Sequence, residues 1–319
     1  MRYMASVNRF FWYLFMPIII IFYISFVIWS YTDHANSSLA KLVDNKKQAV
    51  NSITSLDGII LGGSNAHYGI SAISLNKLSN LTWMNFAIPG EGYSDKNYLN
   101  FITKSLREDQ RLNISFVVYS SAAFVRKNLR QEISSLDLVG RNKINYKPQR
   151  ALASYLKSAL GYNYYEELQY QIINEYGDLD FSNYKCNFLA ESSYSRNFLN
   201  EEDLNIWTPA QLMRLSTLFP NAKIILSIPD GFNGDSEDPN VDARGNLLKT
   251  VEGLLRKNNE SGNISFYLTS ERSFPSSDLM CDDSWHPNEE GRSWRTEQLF
   301  QFIDDQLLKN IEREYNRKK

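Results

Sequence analysis

Two short segments, more than two hundred residues apart, hold the residue types of nucleophilic catalysis. An apolar run ends in Leu61-Gly62-Gly63-Ser64-Asn65, and near the C-terminus the chain reads Asp283-Ser284-Trp285-His286-Pro287. A hydroxyl is a poor nucleophile at its own pKa, so it needs an imidazole to take its proton and a third group to orient that imidazole. Ser64, His286 and Asp283 fit these roles. The chain has three histidines, His34, His67 and His286, so the choice of base is narrow. Asp283 precedes His286 by three positions. On a helical turn or a tight loop that spacing lets the carboxylate reach Nδ1 while Nε2 faces outward. The adjacent Asp282 ranks second as orienter.

Acyl transfer passes through a tetrahedral oxyanion, and each well-placed donor lowers the barrier by about 3–4 kcal/mol, so a site needs more than one. Glycines ahead of Ser64 permit a sharp turn that leaves its N–H free to point at an oxyanion. Gly90, within Asn85-Phe86-Ala87-Ile88-Pro89-Gly90-Glu91-Gly92, could present a second. Asn65, His67, Glu91 and Trp285 are candidates to line a substrate. Plainer readings exist for each piece: a strand-to-helix turn with Ser64 as N-cap, a common Pro-Gly turn, and a surface or half-buried His67.

These residues need elements to hold them. Short apolar runs recur at Gly58–Leu61, Leu81–Phe86, Ile114–Tyr119, Lys223–Ile228 and Ile264–Leu268, each followed by a segment able to form a helix or loop. The alternation predicts an α/β fold with a parallel sheet and covering helices. Ligands of such sheets bind beyond the carboxyl ends of the strands, where the Gly-Gly-Ser turn falls, ahead of the helix-like Ser71–Leu78. Residues 125–209, rich in Tyr, Asn and Lys and containing the helical-looking Arg150–Tyr176, read as a helical insertion over the sheet edge. It either shapes a substrate groove or only completes the core. From Asn288 to Tyr315, Trp294, Leu299, Phe302, Ile303, Leu307 and Ile311 recur at helical spacing, predicting an amphipathic helix packed on the sheet.

Composition narrows the classes. Lys and Arg total 34 against 36 Asp and Glu, with no basic block, which argues against nucleic acid as a partner. Cys186 and Cys281 are far apart with no Cys/His cluster, so no metal site is expected; they could form one bridge pinning the Asp283 segment or remain buried thiols. From Phe10 to Thr32 there is no charge, and Trp12, Tyr13, Trp29 and Tyr31 mark both ends, as in a transmembrane helix. Arg2 and Arg9 before it place the N-terminus in the cytoplasm and the rest outside. A cleaved signal peptide is the alternative, but the apolar stretch is too long for one and lacks a small-x-small site. The organisation expected is an anchor over 1–32, a juxtamembrane helix or linker over 33–55, and a catalytic domain over 56–319.

In this order the segments resemble the SGNH (GDSL-like) hydrolase superfamily. Gly62-Gly63-Ser64-Asn65 matches its serine block, Gly90 its glycine block and Asp283-x-x-His286 its last block, over about Leu56 to Phe302. The resemblance implies a three-layer α/β/α, flavodoxin-like fold. It also implies Ser64 as nucleophile, His286 as base, Asp283 as orienter, and the N–H groups of Ser64 and Gly90 in the oxyanion hole. One block departs. Where the family has G-x-N-D, this chain reads Val118-Tyr119-Ser120-Ser121-Ala122-Ala123, leaving Ser120 or Ser121 as replacement donors. Similar membrane-anchored relatives are the D-alanyl transfer protein and polysaccharide O-acetyltransferases, which work with membrane-bound O-acyltransferases. The function expected is extracytoplasmic transfer or removal of an acyl group, acetyl foremost, on a cell-envelope or exported polysaccharide, without a cofactor. The alternatives are a non-catalytic scaffold of an envelope complex and, if the insertion forms an apolar tunnel, a lipase or thioesterase.

Overall fold

The computed structural model describes residues 12–13, 15–25, 38–89, 95–120, 172–183, 213–227, 253, 264–267, 277–281 and 286–317. Its centre is one parallel sheet of five strands: β1 (Gly58–Gly62), β2 (Trp83–Asn85), β3 (Phe116–Ser120), β4 (Lys223–Ser227) and β5 (Ile264–Tyr267). They lie in the order β2-β1-β3-β4-β5, and each coincides with one of the five apolar runs. β1 to β3 and most of β4 are buried, as parallel strands covered on both faces must be.

Alternate residues of each strand point to opposite layers. Ile59, Leu61, Met84, Val117, Tyr119, Ile224 and Leu226 face one core, with Val43 and Val50 of α1 (Ser38–Ser52) and Tyr98, Leu99, Phe101 and Ile102 of a later helix, Asp95–Ser105. Ile60, Trp83, Phe116, Val118 and Ile225 face the other. There they meet Ala66 and Ile70 around α2 (Ser64–Gly69), Ala72 and Leu75 of α3 (Ala72–Ser79), and Leu299 and Ile303 of the C-terminal helix, Glu289–Arg317. The helix Asp95–Ser105 is α4, Glu108–Asn113 is α5 and Glu289–Arg317 is α6. The result is the expected three-layer α/β/α arrangement.

Two expectations change in detail. The segment read as a juxtamembrane helix or linker is a helix that fills core, with Leu42, Val43 and Val50 buried. The helical reading of 150–176 does not extend to its end. Residues 172–179 instead form a small hairpin with an antiparallel bridge between Ile173 and Leu179. The reason is local: the Asn174 side chain accepts the N–H of Tyr176 (2.9 Å) and of Asp178 (3.0 Å), and Gly177 takes φ 77°, a conformation that favours glycine, at a point where a side chain would overlap the Asn85 carbonyl. This hairpin covers the open edge of β2, where the Asn85 N–H donates to the Tyr176 carbonyl at 2.8 Å. Of the apolar stretch over 10–32, residues 12–13 and 15–25 are described; they are helical, and Ile18 to Ile24 stand exposed. Among the described residues no helix is long and apolar enough to cross a membrane.

Candidate active site

The strand order sets where a ligand can enter. From β1 the chain crosses to β2 on one side and returns to β3 on the other, so the crevice opens beyond the carboxyl ends of β1 and β3. Gly62 and Ser120 stand opposite each other at those ends. Gly62 has φ 137°, and a side chain there would overlap the Ser120 carbonyl, so only glycine allows the strand to turn at this point. Its N–H donates to the hydroxyl of buried Tyr98 at 3.1 Å, and that hydroxyl donates to the Phe86 carbonyl at 3.1 Å. Burial drives the Tyr98 phenol far above its usual pKa, keeping it a donor.

Gly63 is the N-cap of α2, its carbonyl accepting the N–H groups of Ala66 and His67 (both 3.1 Å), and Ser64 opens the helix. Ser64 is therefore the first helical residue rather than the cap. It is partly exposed, whereas Asn65 through Gly69 are buried. At the first turn its N–H is one of the donors that the helix itself leaves unused, at the positive end of the backbone dipoles.

His286 arrives on a clasped loop. Met280 bridges Pro287, the Cys281 N–H donates to the His286 carbonyl at 2.7 Å, and the Asn288 N–H donates to the Leu279 carbonyl at 3.0 Å. Residues 282–285, among them Asp283 and Trp285, lie outside the described residues. His286 is partly exposed, and its ring lies over that of Tyr68, centroids 4.6 Å apart at 35°. Tyr68 follows Ser64 by one helical turn, so the imidazole stands against the face of α2 that carries the serine. Cys281 is fully buried and disulfide-bonded; the chain's other cysteine, Cys186, lies outside the described residues.

The remaining candidates divide. Gly90, Glu91 and Ser121 also lie outside the described residues. Asn65 and His67 are buried, at 2 % and 0 % exposure, so the helix turns them inward, away from a solvent-facing substrate. Ser120 is buried as well, and its hydroxyl accepts from the Arg295 guanidinium at 3.0 Å, which ties it to the layer beneath α2.

Several supporting residues escaped the sequence reading. Asn85 is a hub: its side-chain NH2 donates to the carbonyls of Ala66 (3.3 Å) and Ile70 (2.9 Å), and its Oδ1 accepts from Ala87 (3.1 Å). Lys46 of α1, fully buried, donates to the Asn85 carbonyl at 2.9 Å. Burial lowers its pKa to about 7, against the opposing attraction of Asp178. Asp178, from the hairpin, accepts the N–H groups of Ala72 (2.8 Å) and Ile73 (2.9 Å) and the Ser71 hydroxyl (3.0 Å), capping α3. Only Tyr68 had a readable signal, its four-residue offset from Ser64. Among the described residues no group of His, Cys, Asp and Glu could hold a metal ion.

Neither a protein-family model nor a curated protein sequence matches the chain. Solved structures do. The chain is similar to a Streptococcus pneumonia protein named for platelet activating factor, at 10% identity over 88% of this chain and 99% of that one, TM-score 0.45. It is also similar to a family two carbohydrate esterase from Clostridium thermocellum, at 12% identity over 79% and 64%, TM-score 0.43. A third is a salicylyl-acyltransferase of a tetracycline biosynthetic pathway, at 12% identity over 77% and 53%, TM-score 0.39.

Proposed function

We propose that the protein is a membrane-anchored serine acyltransferase or esterase working outside the cytoplasm on the hydroxyls of an envelope or exported polysaccharide. The observation that carries this reading is the tilted ring contact of His286 with Tyr68, one turn beyond Ser64, although His286 and Ser64 are more than two hundred residues apart in sequence. A partly exposed serine at the carboxyl end of the central strand, on a short helix whose Tyr68 ring meets a histidine, supports a reading of nucleophilic catalysis.

In this mechanism the Ser64 Oγ attacks the carbonyl of an acyl donor while the His286 Nε2 takes its proton, and Asp283 holds the imidazole through Nδ1. The N–H groups of Ser64 and Gly90 receive the oxyanion. As the intermediate collapses, His286 returns the proton to the departing oxygen and the acyl group stays on Ser64. A glycan hydroxyl or water, deprotonated by His286, then releases it. Transferase and esterase differ only in that second nucleophile. A membrane-bound O-acyltransferase is the partner proposed to supply the acyl group, with acetyl the first candidate.

The test is fluorophosphonate labelling of the full-length protein in detergent, read by intact mass. A single adduct on wild type, absent from S64A and slowed by about three orders of magnitude or more in H286A, is the expected result. No adduct on wild type would refute the mechanism and favour a non-catalytic scaffold of the same fold.

A further inference from the structure

We propose that Arg295 is a positioning residue, clamping the nucleophile turn to the sheet from beneath while the helix that carries it also mounts the base loop. Its consequence for chemistry rests on the reaction proposed above; the clamp itself does not.

Arg295 is 1 % exposed. Its Nη1 donates to the carbonyl of Asn65, the residue after the nucleophile, at 3.0 Å. Its Nη2 donates to the hydroxyls of Ser120 (3.0 Å) and Ser227 (3.2 Å), the last residues of β3 and β4. One planar guanidinium thus joins the first turn of α2 to the carboxyl ends of the two strands beyond β1. A guanidinium is costly to desolvate, and a hydrophobic side chain could have filled this layer, as Leu299 and Ile303 do further along α6. The forked geometry explains its use, because a single rigid group must reach three acceptors on three elements.

The same helix holds the base. Asn288, one residue before α6, donates through its N–H to Leu279 at 3.0 Å and through Nδ2 to the Asp278 carbonyl at 2.5 Å, and its Oδ1 accepts from Gly291 at 2.9 Å. A side chain at Gly291 would overlap the Leu279 carbonyl, so the loop lies directly on the helix. Gly69, ending α2, is packed on both: a side chain there would overlap the Arg295 guanidinium and come within 3.4 Å of the Pro287 ring. Two turns of α6 therefore set the spacing between the loop bearing His286 and the turn bearing Ser64.

The test is hydrogen exchange with mass-spectrometric readout on the full-length protein in detergent, with fluorophosphonate labelling alongside. R295K keeps the charge and the stem but loses the fork. It is expected to speed exchange in 64–69 by about tenfold or more while 58–61 and 116–119 stay unchanged, and to slow Ser64 labelling by about tenfold. Unchanged exchange in 64–69 overturns the clamp, and so does faster exchange throughout the sheet, which would make Arg295 a general stability element. If R295K fails to fold, S227A, which removes one acceptor, is expected to show the same local pattern at about a threefold effect, and no local change there overturns the clamp. A wild type that does not label, yet whose 64–69 exchange responds to R295K, refutes the acyl-transfer reading and leaves the clamp standing.

Discussion

Tyr68 shows how a single ring can join two distant segments. Its ring contact with His286 helps fix where the imidazole stands, and tilted aromatic pairs of this kind contribute about 0.5–1.5 kcal/mol beyond their burial. If that energy holds the base in register, Y68A should lower turnover of a small activated ester by about two- to tenfold with little change in KM, whereas Y68F, which keeps the ring, should behave as wild type. Steady-state kinetics on the two variants decide this: equal losses in both would mean that the hydroxyl rather than the ring matters. The burial of Asn65 and His67 has the same local cause. α2 starts at Ser64 and buries every later residue, so the positions next to Ser64 support it from within.

At the scale of elements, α1 is more than a spacer. Its Lys46 reaches the Asn85 hub, which in turn holds the carbonyls of Ala66 and Ile70 around α2, so α1 and α2 share one buried polar network with the hairpin's Asp178 nearby. Burial lowers the Lys46 pKa to about 7 from 10.5. Between those values the unfolded chain binds more protons at this site than the folded one, so stability rises with pH across that window, and below it the folded state bears the full cost of a buried charge. Denaturant titrations should therefore show wild type gaining stability from about pH 7 to about pH 9, by at most a few kcal/mol, and K46M lacking that gain. A parallel rise in K46M would assign the effect to another group.

For the whole molecule, the first question is where the folded unit begins. Leu42, Val43 and Val50 are buried, at about 1.5–3 kcal/mol each for full burial of such side chains, a sum comparable to the net stability of a typical domain. A chain shortened to 33–319 should keep a cooperative thermal transition and leave the membrane fraction, because the exposed apolar helix around Ile18–Ile24 goes while α1 remains. One shortened to 56–319 should lose that transition. Fractionation and thermal melts of the two proteins test both halves; membrane retention of 33–319 would refute the anchor, and a sharp melt of 56–319 would refute the role of α1.

The five strands, their parallel arrangement and the position of Ser64 at a carboxyl end were legible in the chain, because a strand buried on both faces announces itself as a short continuous apolar run and a turn after it needs glycine. Local chemistry also placed α3 and α6. The partners were not legible. Lys46, Asn85, Asp178, Arg292 and Arg295 are polar residues that simple hydrophobic patterning assigns to the surface, yet all are buried. On α6 the buried stripe begins as Arg292, Arg295 and Thr296 and becomes apolar only at Leu299 and Ile303, so its polar half reads as an exposed face until the turn it serves is known. Likewise 172–176 follows a helical pattern, but Asn174, Gly177 and the open edge of β2 together favour a hairpin. Residue order determined the elements, since strand and turn preferences act over a few positions. Tertiary structure decided which polar side chains were worth burying, because desolvation is offset only by acceptors that distant segments bring to the same point.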